Sequence, residues 1–149
     1  MNQGILQAAD RPMATIRKGI MIEATPEKVW EAVRDVGPVH RRLTPGYVVV
    51  TCIEGDTRIL SFANGNVVRE LIVAVDDEAR RLAYAVVESR MPLVHHHASF
   101  QVFAEGADHS RLVWITDVLP HELAREIRLT VERCAMVMKE TIEAEAREG

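Results

Sequence analysis

The chain reads MATIRKGIMIEATPEKVWEAVRDVGPVHRRLTPG from residue 13 to residue 46, and this stretch decides the fold class. Its beginning predicts a strand, because isoleucines recur at even spacing on one face: Ile16, Ile20 and Ile22. Thr25 and Pro26 then mark a helix start, since they supply a capping hydroxyl and a proline for the first helical position. This helix continues to Arg34, and a second short helix is predicted over residues 40–43. One strand followed by two short helices is a distinctive opening.

A long β region follows and is punctuated by turns. Six further strands are predicted, over residues 47–53, 57–63, 67–75, 81–88, 95–104 and 111–119. The links between them are short, and Asn64-Gly65 is the strongest hairpin signal among them, so neighbouring strands should be antiparallel. The seven strands form one sheet in this interpretation.

The last segment changes to a helical pattern. After Pro120, apolar residues recur at spacings of three or four, as far as about Arg147: Leu123, Ile127, Val131, Cys134, Met138 and Ile142. At about 1.5 Å per residue such a helix is roughly 40 Å long, enough to cross the whole sheet. The pattern predicts an α+β protein in which one long helix packs across a sheet.

Length and composition limit the class of protein. A chain of 149 residues with 48% hydrophobic and 27% charged residues fits a single globular domain, here residues 13–149, after a flexible tail over residues 1–12. The net charge of −4 argues against a nucleic-acid partner. The sequence shows neither a membrane span nor a signal peptide, which favours the cytoplasm and reduced core thiols at Cys52 and Cys134.

Four groups of residues carry a family resemblance. They are Ala24–Trp30 (ATPEKVW), Arg69-Glu70, the acidic and basic turn at residues 76–84, and Leu112-Val113-Trp114. In this order they resemble the START-like or Bet v 1-like (SRPBCC) superfamily, and within it the polyketide cyclase/dehydrase and lipid-transport branch. The resemblance implies a helix-grip fold, a curved seven-stranded antiparallel sheet folded around the C-terminal helix with a cavity between them. The superfamily has no shared catalytic residues, so the activity stays open.

Hairpin geometry predicts which side chains face that cavity. A two-residue turn at Asn64-Gly65 pairs Ser61 with Val68 and Ile59 with Glu70. In the last hairpin, apolar faces stay together if Phe100 opposes Trp114, Ala98 opposes Thr116 and Val102 opposes Leu112. The more apolar face should look toward the helix, while the other carries Arg58, Arg69, Glu88, His97, Ser99 and Gln101. The predicted ligand-binding residues are Val50, Ile59, Ser61, Glu70, Ile72, His96, Ala98, Phe100, Trp114, Thr116, Val131, Cys134 and Met138.

Glu70 and His96 are the candidate acid/base residues. An inward carboxylate in an apolar site needs a partner or a raised pKa, and such groups mark functional sites. In the similar plant hormone receptors, a glutamate six residues before the acidic turn lines the pocket, and Glu70 stands six residues before Asp76. The alternatives are a Glu70 that is solvated or paired with an arginine, and a His96 satisfied by backbone or water.

The run His95-His96-His97 raises the question of a metal. His95 and His97 share one face of their strand, and Asp117 should oppose His97, so the three could bind zinc or form a cross-strand hydrogen bond. Because this is the outer face, no metal site is predicted, and no cofactor either.

These residues support two functions of different classes. The first is a protein that carries or senses a small hydrophobic molecule, such as a lipid, a polyketide or an aromatic metabolite. The alternative is a cyclase or dehydratase in which Glu70 and His96 move protons. A third, weaker interpretation is a regulatory module whose ligand closes the Ser89–Val94 segment. A homodimer is compatible with exposed sheet edges.

Overall fold

The computed structural model describes residues 14–148. Its elements are β1 (Thr15–Ile22), α1 (Pro26–Arg34), α2 (Val39–Arg42), β2 (Val48–Glu54), β3 (Thr57–Phe62), β4 (Val67–Asp76), β5 (Arg81–Glu88), β6 (His95–Ala104), β7 (Ser110–Leu119), a 3-10 turn (His121–Leu123) and α3 (Ala124–Glu148). Every predicted element is confirmed, with α2 and β2 each displaced by one residue and a 3-10 turn in place of the first residues of the predicted long helix. The predicted tail over residues 1–12 lies outside the described residues.

The seven strands form one antiparallel sheet in the order β1-β7-β6-β5-β4-β3-β2. The meander from β2 to β7 places sequential strands side by side, and β1 closes the order by pairing with β7. Helix α3 packs over the inner face of this sheet through its buried stripe, which runs from Ala124 to Ile142. The predicted helix-grip architecture is confirmed. None of the helices within residues 14–148 is long and apolar enough to cross a membrane.

Helix α1 begins as its sequence predicts. The Thr25 side chain accepts a hydrogen bond from the Lys28 amide at 3.3 Å, and Pro26 occupies the first turn. Trp30 faces the core, and its indole Nε1 donates to Asp77 Oδ1 at 2.9 Å. This bond ties α1 to the turn between β4 and β5. Trp30 is therefore part of the hydrophobic core, next to the turn between β4 and β5.

The register of the β3–β4 hairpin differs from the predicted one. The loop holds three residues, Ala63, Asn64 and Gly65, because the amide of Phe62 donates to the carbonyl of Asn66 at 2.8 Å. Gly65 adopts φ +90°, which closes a three-residue loop with a left-handed residue. Ser61 accordingly pairs with Val67 and Arg58 with Glu70. A shift of one residue turns every side chain of a strand to the other face.

Gly65 offers a test of this loop. Alanine at Gly65 should lower the free energy of unfolding by about 1–2 kcal/mol, because an L-residue with a side chain is strained in the left-handed region. The new Cβ would lie 3.7 Å from Arg90 Nη2, an ordinary contact, so the backbone supplies the cost. The matched control is Gly19→Ala in β1, where the new Cβ meets open space. This variant should raise the free energy of unfolding by about 0.5 kcal/mol, because glycine inside a strand is less stable than alanine. Equal effects in urea unfolding would contradict the assignment.

Candidate functional site

A cavity of about 510 Å³ lies between the inner face of the sheet and α3. Its walls come from α2, from strands β2 to β7, from the β5–β6 loop and from the first half of α3. Most of the wall is apolar: Val39, Leu43, Val48, Leu60, Phe62, Val68, Val86, Leu93, Ile127, Val131 and Met138. This volume falls within the range of small-molecule sites.

A buried ion pair crosses the cavity wall between β3 and β4. Arg58 Nε and Nη2 each lie 2.8 Å from Glu70 Oε1, and the two side chains are only 4% and 8% exposed. Burial raises the pKa of the Glu70 carboxyl, and the Arg58 guanidinium opposes that rise. Both guanidinium contacts fall on one carboxylate oxygen. The ion pair is thus a fixed charged group in a wall that is mainly apolar.

Three aromatic rings continue from this ion pair along the inner face of the sheet. Arg58 Cζ lies 5.5 Å from the ring centroid of Tyr84, a cation–π contact. Tyr84 stacks on Phe100 at 6.1 Å with planes 29° apart, and Phe100 meets Trp114 at 4.7 Å and 30°. Because β5, β6 and β7 are neighbours, each strand contributes one ring. We call Tyr84, Phe100 and Trp114 the aromatic floor of the cavity.

Four side chains of the cavity wall hold polar atoms that are buried without a hydrogen-bond partner among residues 14–148. The atoms are Thr44 Oγ1, Asn66 Oδ1, His96 Nδ1 and Trp114 Nε1. Buried polar atoms in proteins are bonded in the great majority of cases, because desolvation without a partner is costly. The wall of the cavity therefore contains buried polar atoms whose hydrogen-bonding capacity is not used within residues 14–148.

His96 has an environment that keeps its ring neutral. Burial, helped by the charges of His95 and His97, lowers the pKa of His96 to about 4. Near neutral pH the ring therefore has one donor and one acceptor nitrogen. It lies at the start of β6, beside the β5–β6 loop that forms part of the cavity wall.

Most of the residues predicted to line the cavity do so. The structure brings together on its wall Glu70, His96, Phe100, Trp114, Thr116, Val131, Cys134 and Met138. The predicted pairings of Phe100 with Trp114, Ala98 with Thr116 and Val102 with Leu112 are also confirmed. Their roles in binding a ligand stay predictions.

The other predicted lining residues lie elsewhere, for reasons that the register explains. Ile59 and Ser61 face outward because the β3–β4 loop has three residues. Val50 pairs with Ser61 on edge strand β2 after an irregularity, and it is 49% exposed on that outer side. Ala98 and Ile72 lie on the inner side, but they pack into the core beside the cavity and are not part of its wall.

The same shift reveals cavity residues that the sequence argument missed. Arg58, assigned to the outer face, points inward, and so do Leu60 and Phe62. On β5 the cavity is lined by Tyr84 and Val86, because Tyr84 pairs with Ala98 on the inner side of the sheet. A three-residue loop at Asn64-Gly65 would have predicted these side chains.

The outer face holds the conspicuous histidines. His95 and His97 stack at 6.5 Å, and His97 opposes Asp117 as predicted. Asp117 Oδ1, however, accepts a hydrogen bond from the Thr15 hydroxyl at 2.7 Å. Within residues 14–148, no group of three or more histidine, cysteine or acidic side chains is placed to hold a metal ion. Cys52, expected in the core, is exposed on β2, whereas Cys134 is buried, and both are free thiols.

Comparison with known proteins places this geometry among related folds. A family model described as polyketide cyclase / dehydrase and lipid transport matches residues 13–147. No curated protein matches the chain. The structure of the protein XoxI from Bacillus cereus superposes with a TM-score of 0.78 at 18% sequence identity, over 91% of this chain and 97% of that one.

Two further structures are similar at comparable distance. A START superfamily protein from Mycobacterium smegmatis gives a TM-score of 0.71 at 15% identity, over 90% of this chain and 97% of that one. Norcoclaurine synthase from Thalictrum flavum, in complex with dopamine and hydroxybenzaldehyde, gives 0.70 at 19%, over 90% and 86%. At these identities the matches establish the shared fold.

Proposed function

We propose that this chain, which belongs to the polyketide cyclase/dehydrase and lipid transport family, binds one small, mainly apolar molecule in the cavity under α3. The fold of this family is a hydrophobic ligand-binding fold. In this chain, the ligand would be a lipid, a polyketide or an aromatic metabolite that the protein carries or senses.

The observation that carries the proposal is the composition of the cavity wall. A protein that needed only a stable core would fill this space with side chains, since interiors pack to crystal-like density. Here a cavity of about 510 Å³ is left unfilled, and its wall combines mainly apolar side chains with four buried polar atoms that lack partners among the described residues. Apolar contact supplies affinity in such sites, and a few fixed polar groups orient the ligand.

Filling the cavity tests the proposal. Val131→Phe enlarges a buried wall residue of α3, so we expect it to weaken binding of the dye 1-anilinonaphthalene-8-sulfonate by about ten-fold or more, the effect of 1–3 kcal/mol of overpacking. Leu129→Phe is the matched control, because Leu129 is 47% exposed on the same helix. The fluorescence of the dye measures its affinity for each of the two variants. Native mass spectrometry shows whether a molecule retained from the host is lost from Val131→Phe and kept by Leu129→Phe. Equal binding by the two variants would contradict a ligand in this cavity.

A cyclase or dehydratase is the second candidate, because Glu70 and His96 both line the same cavity. The pairing of Glu70 with Arg58 occupies one carboxylate oxygen, and neutral His96 can accept a proton at one nitrogen. Under this hypothesis, Glu70→Gln and His96→Ala should keep the ligand that co-purifies but lose its turnover by at least about 100-fold, the usual contribution of a general acid or base. Loss of binding, with no turnover in the unaltered protein, would favour the carrier.

A further inference from the structure

Strand β2 lies at one edge of the sheet, and its outer side pairs with no other strand within residues 14–148. Residues 48–53 read VVVTCI and contain neither a charged side chain nor a proline. Val49, Val50 and Ile53 are 51%, 49% and 45% exposed, and Cys52 is exposed as well. An uncharged, apolar edge strand of this kind is a template for pairing with another chain.

Strand β1, at the opposite edge of the sheet, is protected against such pairing. Arg17 and Lys18 place two adjacent charges in the strand. Its large aliphatic side chains on the inner face are buried: Ile16, Ile20 and Ile22. Charged residues on an edge strand are a common device that prevents sheets from joining edge to edge. Because β2 lacks this device between residues 48 and 53, the difference favours a partner at β2.

The free part of the β2 edge is short and has definite ends. At one end, the amide of Val48 already donates to the carbonyl of Thr44 at 3.1 Å. At the other end, the chain turns into β3 directly after Glu54. Residues 50–54 pair with β3 without irregularity. They are the stretch that a partner strand can join, and Cys52 is its centre.

The alternation of hydrogen bonds along an antiparallel strand decides which backbone groups of this stretch are free. In a two-residue hairpin, the residues on either side of the turn form a hydrogen-bonded pair, and here they are Glu54 and Thr57. Cys52 therefore also bonds to β3, whereas Thr51 and Ile53 direct their amides and carbonyls away from it. With a two-fold axis at Cys52, Thr51 of each copy would bond to Ile53 of the other.

Charge favours this register over its neighbour. With the axis at Cys52, the two Glu54 carboxylates lie on the order of 13 Å apart along the strands. Each keeps its own contact with Arg69, at 3.3 Å. An axis at Ile53 would bring the two glutamates to about half that distance, and like charges on paired strands are destabilising.

We infer that the edge of β2 binds the same edge of a second copy of this chain, antiparallel, so that Cys52 of one copy lies opposite Cys52 of the other. This contact is independent of the proposed ligand cavity. Residues 50–54 of each copy form a contact smaller than the roughly 1,200 Å² of stable interfaces, so the dimer should be weak and its population should rise with protein concentration.

Thiol oxidation tests the arrangement. Opposed residues that do not bond each other's backbone have Cα atoms about 4.5 Å apart, within the range of a disulfide. Diamide accepts the two thiol hydrogens and leaves the disulfide. Cys134 is buried, so Cys52 is the thiol that reacts. The control is Met21→Cys combined with Cys52→Ser, because Met21 is 50% exposed on edge strand β1.

The unaltered protein should form disulfide-linked dimers at least about ten-fold faster than this control, because pairing raises the effective concentration of the two thiols. Thr51→Pro removes an amide that is directed to the second copy and not to β3, so it should slow the reaction to the rate of the control. Thr51→Val loses the same hydroxyl contact with His40 but keeps the amide, and it should react at the full rate.

Sedimentation of the reduced, unaltered protein gives a result that depends on no variant. Its dimer fraction should rise with concentration, and Thr51→Pro should remain a monomer. A reduced protein that stays monomeric up to about 1 mM, where even an association of 4 kcal/mol shows, would overturn the inference. So would disulfide formation in the unaltered protein no faster than in the Met21→Cys control.

Discussion

Replacing Arg58 by methionine should lower the free energy of unfolding by about 3–5 kcal/mol, because it leaves the Glu70 carboxylate buried without a cation. The two side chains are almost fully buried, and Arg58 makes both of its close contacts with one oxygen of Glu70. Urea unfolding near neutral pH measures the effect.

The double variant Arg58→Met/Glu70→Met is the control. Replacing both members of a buried pair by apolar groups of similar volume is often neutral or stabilising, so the double variant should be more stable than Arg58→Met alone. If both variants lost the same free energy, the cost would come from lost packing and the ion pair would carry none of it.

The pH dependence of this difference has a definite sign. Burial raises the pKa of Glu70 in the folded state above its unfolded value, and removing Arg58 takes away the group that opposes the rise. A group whose pKa is higher in the folded state than in the unfolded state stabilises the fold at pH values below its unfolded-state pKa. That stabilisation is lost as the pH rises through the folded-state pKa. The deficit of Arg58→Met relative to the double variant should therefore shrink toward pH 4 and grow toward pH 7.

The order of elements could be predicted from local signals that do not depend on tertiary contacts. Thr25 and Pro26 fix the start of α1, and the apolar spacing after Pro120 fixes α3. The register of the last hairpin was also predictable, because opposing Phe100 and Trp114 keeps the apolar faces of both strands together. In these places a single strong preference decides the structure.

The register of the β3–β4 hairpin was not predictable in the same way. Asn64-Gly65 suits a two-residue turn as well as a three-residue loop, and the strands on either side carry valines and isoleucines on both faces. The assumption that the more polar face points to solvent then placed Arg58 outside. The assumption fails when a charged side chain is buried together with a group of opposite charge. For Arg58 that group is Glu70, which lies opposite it on the neighbouring strand β4.

The polar points of the cavity depend on packing that no sequence pattern encodes. Trp114 could be recognised as inward, but whether its N–H has a partner depends on the side chains that pack around it from other strands and from α3. Similarly, His96 could be placed inside by alternation along β6, whereas its lowered pKa arises from the depth of burial and from the histidines on either side.

His96 gives the second large expected effect, a loss of stability in mild acid. Its pKa of about 4 in the folded state lies below the ordinary value of 6.5, so the folded protein holds the ring neutral while the unfolded chain protonates it. A group whose pKa is lower in the folded state stabilises the fold at pH values above its unfolded-state pKa. That stabilisation is lost as the pH falls toward the folded-state pKa. Between pH 7.5 and pH 4, the loss attributable to His96 should be about 3 kcal/mol.

Two variants separate this residue from its neighbours. His96→Gln keeps a polar side chain of similar size but cannot be charged, so its free energy of unfolding should fall less steeply between pH 7.5 and pH 4. His97→Gln is the matched control on the outer face of the same strand, and it should keep most of the slope of the unaltered protein, because burial is the largest cause of the lowered pKa of His96. Urea unfolding at intervals of half a pH unit gives the three curves. If His96→Gln follows the unaltered protein throughout, the pKa of the imidazole is the same in the folded and unfolded states, and the lowered pKa of His96 is wrong.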